Sequence, residues 1–109
     1  MIPFDFHPEA EAEYLQVIHF YDEVDVELGD RFIDEFESCI TRIQKRPLWF
    51  RNISRSCRRC LAEEFPYGII YAVANRRIFI VAVMHLKQKP GYWKKRMAEI
   101  PKRRKQSPK

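Results

Sequence analysis

The chain has 109 residues, a length that supports one domain with a self-sufficient hydrophobic core. Hydrophobic residues make up 46% and charged residues 32%, with only 3 glycines, which excludes collagen-like, disulfide-scaffold and wholly disordered chains. No apolar stretch is long enough to cross a bilayer, and the first residues carry acids where a signal peptide would carry bases. The composition predicts a compact cytoplasmic protein with no membrane partner.

The charge is divided unevenly along the chain. Residues 1–50 contain 4 basic and 12 acidic side chains, a net charge of −8, whereas residues 51–109 contain 16 basic and 3 acidic ones, a net charge of +13. A basic half suits a nucleic acid or another polyanion. From Lys94 onward there are 8 basic residues, 1 acid and two prolines. We therefore predict a folded domain at residues 1–96 and a flexible basic tail at residues 97–109.

The first half reads as a strand followed by two helices. Residues 2–7 alternate apolar and polar, as in a half-buried strand. A helix is predicted from about Pro8 to Val24, since proline is tolerated in a first turn and acids follow it. A second helix is predicted to begin between Asp25 and Asp30 and to end before Pro47. Its apolar residues recur at three and four, which predicts a helical hairpin that packs one face on a core.

The second half reads as three strands, at residues 57–64, 67–74 and 77–85. The last two are rich in Ile, Val, Tyr and Phe and are separated only by Asn75-Arg76, which predicts a hairpin. Their near-continuous apolarity indicates that both faces of the sheet are covered. The predicted fold class is α+β, with an N-terminal strand, an antiparallel helix hairpin and a three-stranded antiparallel sheet.

The three cysteines predict thiols rather than a metal site. An odd number of cysteines without an extracellular signal fits a reducing compartment. Cys57 and Cys60 are three apart on a predicted strand, so they face opposite sides, and no second pair of Cys or His has ligand spacing. We expect neither a metal nor another cofactor.

Four strings of the sequence resemble one known family. They are "FHPEAEAEYLQVIHFY", "GDRFIDEFESCITRIQKRP", "RRCLAEEFPYGIIYAV" and "IFIVAVMHLKQKPGYWKKR". The most specific part is the pairing of "FPYGIIY" with "AVMH" and a following Pro-x-Tyr-Trp. Over about residues 2–96 the chain resembles the RelE/ParE superfamily of toxins from bacterial type II toxin–antitoxin systems.

The resemblance implies a small basic toxin that an antitoxin wraps and neutralises, forming a toxin–antitoxin hetero-oligomer. Members of the RelE branch enter the ribosomal decoding site and cleave mRNA. Members of the ParE branch are associated with poisoning DNA gyrase and have no assigned catalytic residues. The same fold therefore supports either mRNA cleavage or gyrase poisoning, and only the residues at the functional site can distinguish the two activities.

Metal-free RNA cleavage needs a base for the 2′-hydroxyl proton, cations for the developing phosphate charge and an acid for the leaving oxygen. Matching the RelE branch places Gly68 where its transition-state arginine is expected. Basic residues remain at Arg59 and Lys87, and Tyr92 lies near the position of the aromatic acid or base. His85 suits proton transfer at neutral pH. The candidate catalytic residues are therefore Arg59, His85, Lys87 and Tyr92.

A second set of residues is expected to contact the target. Aromatic rings beside cations are typical of single-stranded nucleic-acid binders. The set comprises Arg58, Arg77, Trp93, Lys94, Lys95 and Arg96. Structural alternatives exist for several residues: His85 can cap a strand, Arg58 or Arg59 can be solvated, and Tyr92 and Trp93 can anchor the C-terminal segment. Since Arg58 and Arg59 are neighbours on a strand, at most one of them can join a given site.

We favour a toxin of the ParE kind that binds an information-processing target such as DNA gyrase, because Gly68 lacks the cation that phosphoryl chemistry most needs. The alternative is a ribosome-dependent mRNA endoribonuclease of the RelE kind that uses no metal. A second alternative is an inactive relative kept as a complex-forming module.

Overall fold

The structure is a computed structural model that describes residues 1–100. It is an α+β fold in which two helices pack on one face of a five-stranded sheet of order β1-β5-β4-β3-β2. The elements are β1 (Phe4–Phe6), α1 (Pro8–Val24), α2 (Val26–Lys45), β2 (Arg51–Asn52), β3 (Arg58–Leu61), β4 (Tyr67–Ala74), β5 (Arg77–His85) and a 3-10 helix at Lys94–Glu99. No helix within residues 1–100 is long and apolar enough to span a membrane.

The α+β class is confirmed, and β3, β4 and β5 pair antiparallel, but the sheet has five strands and is mixed rather than three-stranded and antiparallel. β1 joins the sheet as a parallel strand beside β5, and the two-residue β2 adds a fifth strand beside β3. β3 is also shorter than the predicted residues 57–64. The backbone N–H groups of Glu63 and Glu64 donate to the Glu35 carboxylate of α2 instead of to a neighbouring strand.

The two helices begin where side chains accept hydrogen bonds from their first turns. Nδ1 of His7 accepts from the Glu9 N–H at 3.0 Å, and Oδ1 of Asp25 accepts from the Glu27 N–H at 2.8 Å. The predicted bounds of α1 are confirmed, and α2 begins within the predicted interval. Since only Asp25 separates the helices, they form the predicted hairpin.

The turn between β4 and β5 is the predicted two-residue hairpin. Asn75 and Arg76 have φ values of 53° and 60°, in the left-handed region that such turns require. Asparagine adopts this conformation readily, whereas arginine does so at a cost in free energy. The hairpin therefore holds its register without the glycine that commonly occupies the second position.

Each face of the sheet has its own hydrophobic core. The helix side is rich in stacked and edge-packed aromatic rings, such as Tyr14 against Phe36 at 4.1 Å between centroids. On the opposite face, here called the outer face, Trp93 and Ile100 of the C-terminal segment cover β4 and β5. The predicted boundary between residues 96 and 97 falls inside the 3-10 helix. Residues 101–109 of the predicted tail lie outside the described residues.

Candidate functional site on the outer face of the sheet

A cleft of about 180 Å³ opens on the outer face, between the sheet and the C-terminal segment. We call it the outer cleft, and its lining residues are Ile53, Ser54, Arg59, Met84, Pro90, Gly91, Trp93 and Lys94. Its two cationic side chains, Arg59 and Lys94, come from elements far apart in the sequence. None of the lining residues is acidic, so the outer cleft favours an anionic ligand or target group.

Arg59 reaches the outer cleft because of the glycine beside it. A Cβ placed on Gly68 would lie 3.1 Å from both Cγ and Cδ of Arg59, a tight contact. The arginine stem therefore crosses the sheet where residue 68 has no side chain. Arg59 thus brings its guanidinium to the outer cleft from the neighbouring strand β3.

Lys94 is set in place by a tight turn after Pro90. Gly91 has a φ of 91°, a conformation that favours glycine, and its carbonyl accepts from the Lys94 N–H at 3.0 Å. A Cβ on Gly91 would lie 3.3 Å from Cε of Lys94, so the lysine side chain folds back over the glycine. Trp93 is only 3% exposed, and its Nε1 has no hydrogen-bond partner within residues 1–100. The buried Trp93 ring therefore forms an apolar wall of the outer cleft.

His85 and Lys87 lie away from the outer cleft. The His85 ring packs edge-on against Tyr67, with 5.0 Å between centroids, and Tyr67 packs on the helix-side core. Nδ1 of His85 accepts from the Lys87 N–H at 3.0 Å, which caps the turn after β5. Lys87 itself is exposed in that turn. The structure therefore places His85 on the sheet face opposite Arg59, in the capping arrangement that the sequence leaves open as an alternative.

Tyr92 and Arg96 belong to a network centred on Glu13 of α1. The Tyr92 hydroxyl donates to Oε2 of Glu13 at 2.8 Å, and Arg96 donates to both carboxylate oxygens at 3.0 and 2.8 Å. Arg96 also donates to the Val81 carbonyl at 3.0 Å, while Oε1 of Glu13 accepts from the Val83 N–H at 2.9 Å. The network supplies hydrogen-bond partners to the Val81 carbonyl and the Val83 N–H, which lie on the edge of β5 where the short strand β1 does not extend. Tyr92 and Arg96 thus anchor the C-terminal segment.

The electrostatics of this network oppose a role for Tyr92 as a base. Burial, followed by the hydrogen bond to the Glu13 carboxylate, raises the pKa of the Tyr92 phenol. Burial acts to lower the pKa of Arg96, but its hydrogen bonds to Glu13 and the charge of that carboxylate raise it overall. The phenol therefore stays protonated at neutral pH, with its proton directed to Glu13.

Three further basic candidates lie outside the outer cleft. Arg58 points to the helix side, where it donates to the carbonyls of Leu48 and Phe50 at 3.0 and 2.8 Å. Arg77 pairs with Asp5 of β1 through two hydrogen bonds of 2.9 and 2.6 Å. Lys95 is exposed on the 3-10 helix. Arg58 and Arg59 therefore point to opposite faces, as strand alternation predicts.

The structure brings together Arg59, Trp93 and Lys94 and separates them from the other predicted site residues. Sequence reasoning missed Ser54, Gly91 and Glu13. Glu13 carries a signal in the sequence, because it lies three residues after Ala10 and four before Val17, on the packed face of α1. A carboxylate on such a face needs partners. Ser54 lies in an irregular loop, where no pattern marks it.

The cysteines are separate thiols, with Cys57 in the outer core and Cys60 in the helix-side core. The prediction that these two residues face opposite sides is confirmed. Within residues 1–100, no group of three or more His, Cys, Asp or Glu side chains is placed to hold a metal ion.

No family model matches the sequence, and no curated protein matches it either. The resemblance to the RelE/ParE superfamily therefore rests on the quoted sequence strings alone.

Proposed function

We propose that the protein is the toxin component of a type II toxin–antitoxin system, of the ParE kind. It inhibits growth by binding a polyanionic information-processing assembly, such as DNA gyrase engaged with DNA, and a cognate antitoxin neutralises it. The outer cleft is the contact surface, with Arg59 and Lys94 as its cations. The resemblance of residues 2–96 to RelE/ParE toxins and the charge of the C-terminal half support this proposal.

The separation of the four candidate catalytic residues carries the choice of binding over catalysis. An acid, a base and a phosphate-binding cation must converge on one scissile bond to cleave RNA. Arg59 lies in the outer cleft, His85 contacts Tyr67 on the helix side, and the Tyr92 hydroxyl is held by Glu13. Neither His85 nor Tyr92 lines the outer cleft that contains Arg59. A surface with two cations and no acidic side chain suits binding of phosphate groups without a chemical step.

Brief induction in growing cells tests the proposal through three readouts: growth, transcript ends mapped by primer extension, and gyrase-linked DNA breaks. We expect growth to stop while transcripts stay intact and gyrase-linked breaks accumulate. Codon-phased cuts in transcripts would instead support the ribosome-dependent endoribonuclease. Undisturbed growth in the absence of an antitoxin would support the inactive, complex-forming relative. Either of these two results overturns the proposal.

A further inference from the structure

The backbone of the loop after α2, residues 47–50, is held by one buried and one half-buried polar side chain. The hydroxyl of Tyr71, a fully buried residue, donates to the Pro47 carbonyl at 2.6 Å. The Arg58 guanidinium donates to the carbonyls of Leu48 and Phe50. Three hydrogen bonds therefore fix the backbone of a four-residue segment. Such fixing lowers the entropy that the loop would lose on binding a partner.

The same loop leaves two large apolar side chains in solvent. Leu48 is 65% exposed and Trp49 is 69% exposed, although the loop backbone is well anchored. The Trp49 ring packs perpendicular to the ring of Phe50, with 5.3 Å between centroids and an interplanar angle of 88°. A tryptophan displayed on a fixed backbone is the type of residue that dominates protein interfaces.

A cleft of about 210 Å³ lies beside this tryptophan, which we call the loop cleft. Its lining residues are Arg42, Lys45, Arg46, Trp49 and Phe50. Lys45 and Arg46 form no ion pair with any carboxylate of residues 1–100. The volume is below the roughly 300 to 1,000 Å³ of typical small-molecule sites. A cleft of this size can hold one large apolar side chain of a partner, with the partner's carboxylates beside Lys45 and Arg46.

The end of α2 accounts for part of this arrangement but not for all of it. Arg42 and Lys45 lie in the last turn, where cations complement the helix dipole. The dipole gives no reason for an exposed Trp49 over a fixed loop. The cations and the tryptophan together indicate a binding surface.

A nucleic acid fits the loop cleft less well than a peptide does. Single-stranded nucleic acids bind along grooves that span several nucleotides, with cations along the whole track. Arg42 also lines a neighbouring depression. Four acidic residues line that depression as well: Asp34, Glu35, Glu63 and Glu64. A polyanionic strand that extends past Arg42 meets these carboxylates. A short peptide can place its charges against Lys45 and Arg46 alone.

We propose that the loop cleft docks an acidic amphipathic segment of a partner protein. One large apolar side chain of the partner packs against Trp49, and its flanking carboxylates pair with Lys45 and Arg46. None of the loop-cleft residues lines the outer cleft, so this interaction surface is separate from the one assigned to the target. Its test therefore does not depend on whether the protein is a toxin.

Fluorescence anisotropy of labelled 12-residue peptides tests the docking proposal on the full chain. The probes are glutamate-rich peptides with one central Phe, Leu or Trp, a matched peptide with serine at that position, and a 12-nucleotide oligothymidylate. We expect saturable binding of at least one apolar-centred peptide and at least about tenfold weaker binding of the serine peptide.

Variants of the loop cleft locate the binding. Trp49→Ala and the double variant Lys45→Glu/Arg46→Glu should each weaken binding of the apolar-centred peptide about tenfold. Arg51→Ala, at an exposed position on β2, should leave the binding affinity unchanged. All of these positions are exposed, so the fold is expected to tolerate the changes. The proposal is overturned if no apolar-centred peptide binds, if Trp49→Ala binds as tightly as the wild type, or if only oligothymidylate binds through Trp49.

Discussion

Glu13 is the residue on which the position of the C-terminal segment most depends. Its carboxylate accepts from Tyr92, from Arg96 and from the Val83 backbone, joining α1, β5 and the 3-10 helix in one network. The side chain of Arg96 is only 10% exposed and that of Glu13 is 20% exposed. Removing Glu13 would leave the largely buried Arg96 with only the exposed Glu9 carboxylate, at 3.3 Å, as an ionic partner.

Glu13→Ala should lower the free energy of unfolding by about 2 to 3 kcal/mol, because the Val83 N–H loses its partner and Arg96 loses its closer carboxylate. Urea unfolding followed by circular dichroism measures the change. Glu11→Ala is the matched control, since Glu11 is exposed on the same helix, and it should stay within about 0.5 kcal/mol of the wild type. Equal effects of the two substitutions would contradict the role given to Glu13.

Tyr71 makes stability depend on pH in the alkaline range. Burial is the main cause that raises its pKa to about 12 from the ordinary value of 10.0. A folded-state pKa above the unfolded one means that the protonated phenol favours the folded state. The contribution of Tyr71 to the free energy of unfolding is therefore fully present below about pH 10 and is lost as the pH rises towards about 12.

Tyr71→Phe should therefore flatten the decline of unfolding free energy between about pH 10 and 12, by up to about 1.4 kcal/mol per pH unit at the steepest point. Cys57, Cys60 and the other tyrosines with raised pKa values are present in both proteins, so the difference between the two slopes reports on Tyr71. Thermal or urea unfolding at several alkaline pH values gives the two slopes. Identical slopes would show that the phenol is not held as described.

At the scale of elements, sequence patterns predicted the long helices and the β4–β5 hairpin but not the edges of the sheet. The helical spacing of apolar residues extends over many positions in α2, so its periodicity is unambiguous. β2 has only two residues, both exposed, and carries no such signal. Nor could periodicity show that β1 would pair in parallel with β5, because that contact joins residues more than seventy positions apart.

The hairpin turn offers a direct test of backbone strain. Arg76→Gly should raise the free energy of unfolding by about 0.5 to 1 kcal/mol, because glycine adopts a φ of 60° without the steric cost that arginine bears. Arg51→Gly, at an exposed strand position with ordinary φ, should instead lower stability slightly. The midpoints of thermal unfolding compare the variants. A loss of stability in Arg76→Gly would mean that the Arg76 side chain stabilises the turn.

Across the whole molecule, the charge division of the sequence becomes a division of surfaces. Acidic residues are concentrated in the helical half, whereas Arg59 and Lys94 meet in the outer cleft on the opposite face of the sheet. Sequence reasoning could name these two cations but could not group them, because their meeting depends on Gly68 and on the turn at Gly91. It also proposed site roles for Arg58, Arg77, Tyr92 and Arg96, whose contacts in the structure join elements of the fold.

The outer cleft is the surface on which the proposed toxicity depends, and growth after induction of cleft variants tests this claim most directly. Arg59→Glu and Lys94→Glu should each restore growth relative to the wild type, since reversing either charge repels a polyanionic target. Lys87→Glu, an exposed lysine outside the cleft, serves as the matched control and should still arrest growth at an equal protein level. The account is contradicted if both cleft variants arrest growth as strongly as the wild type does.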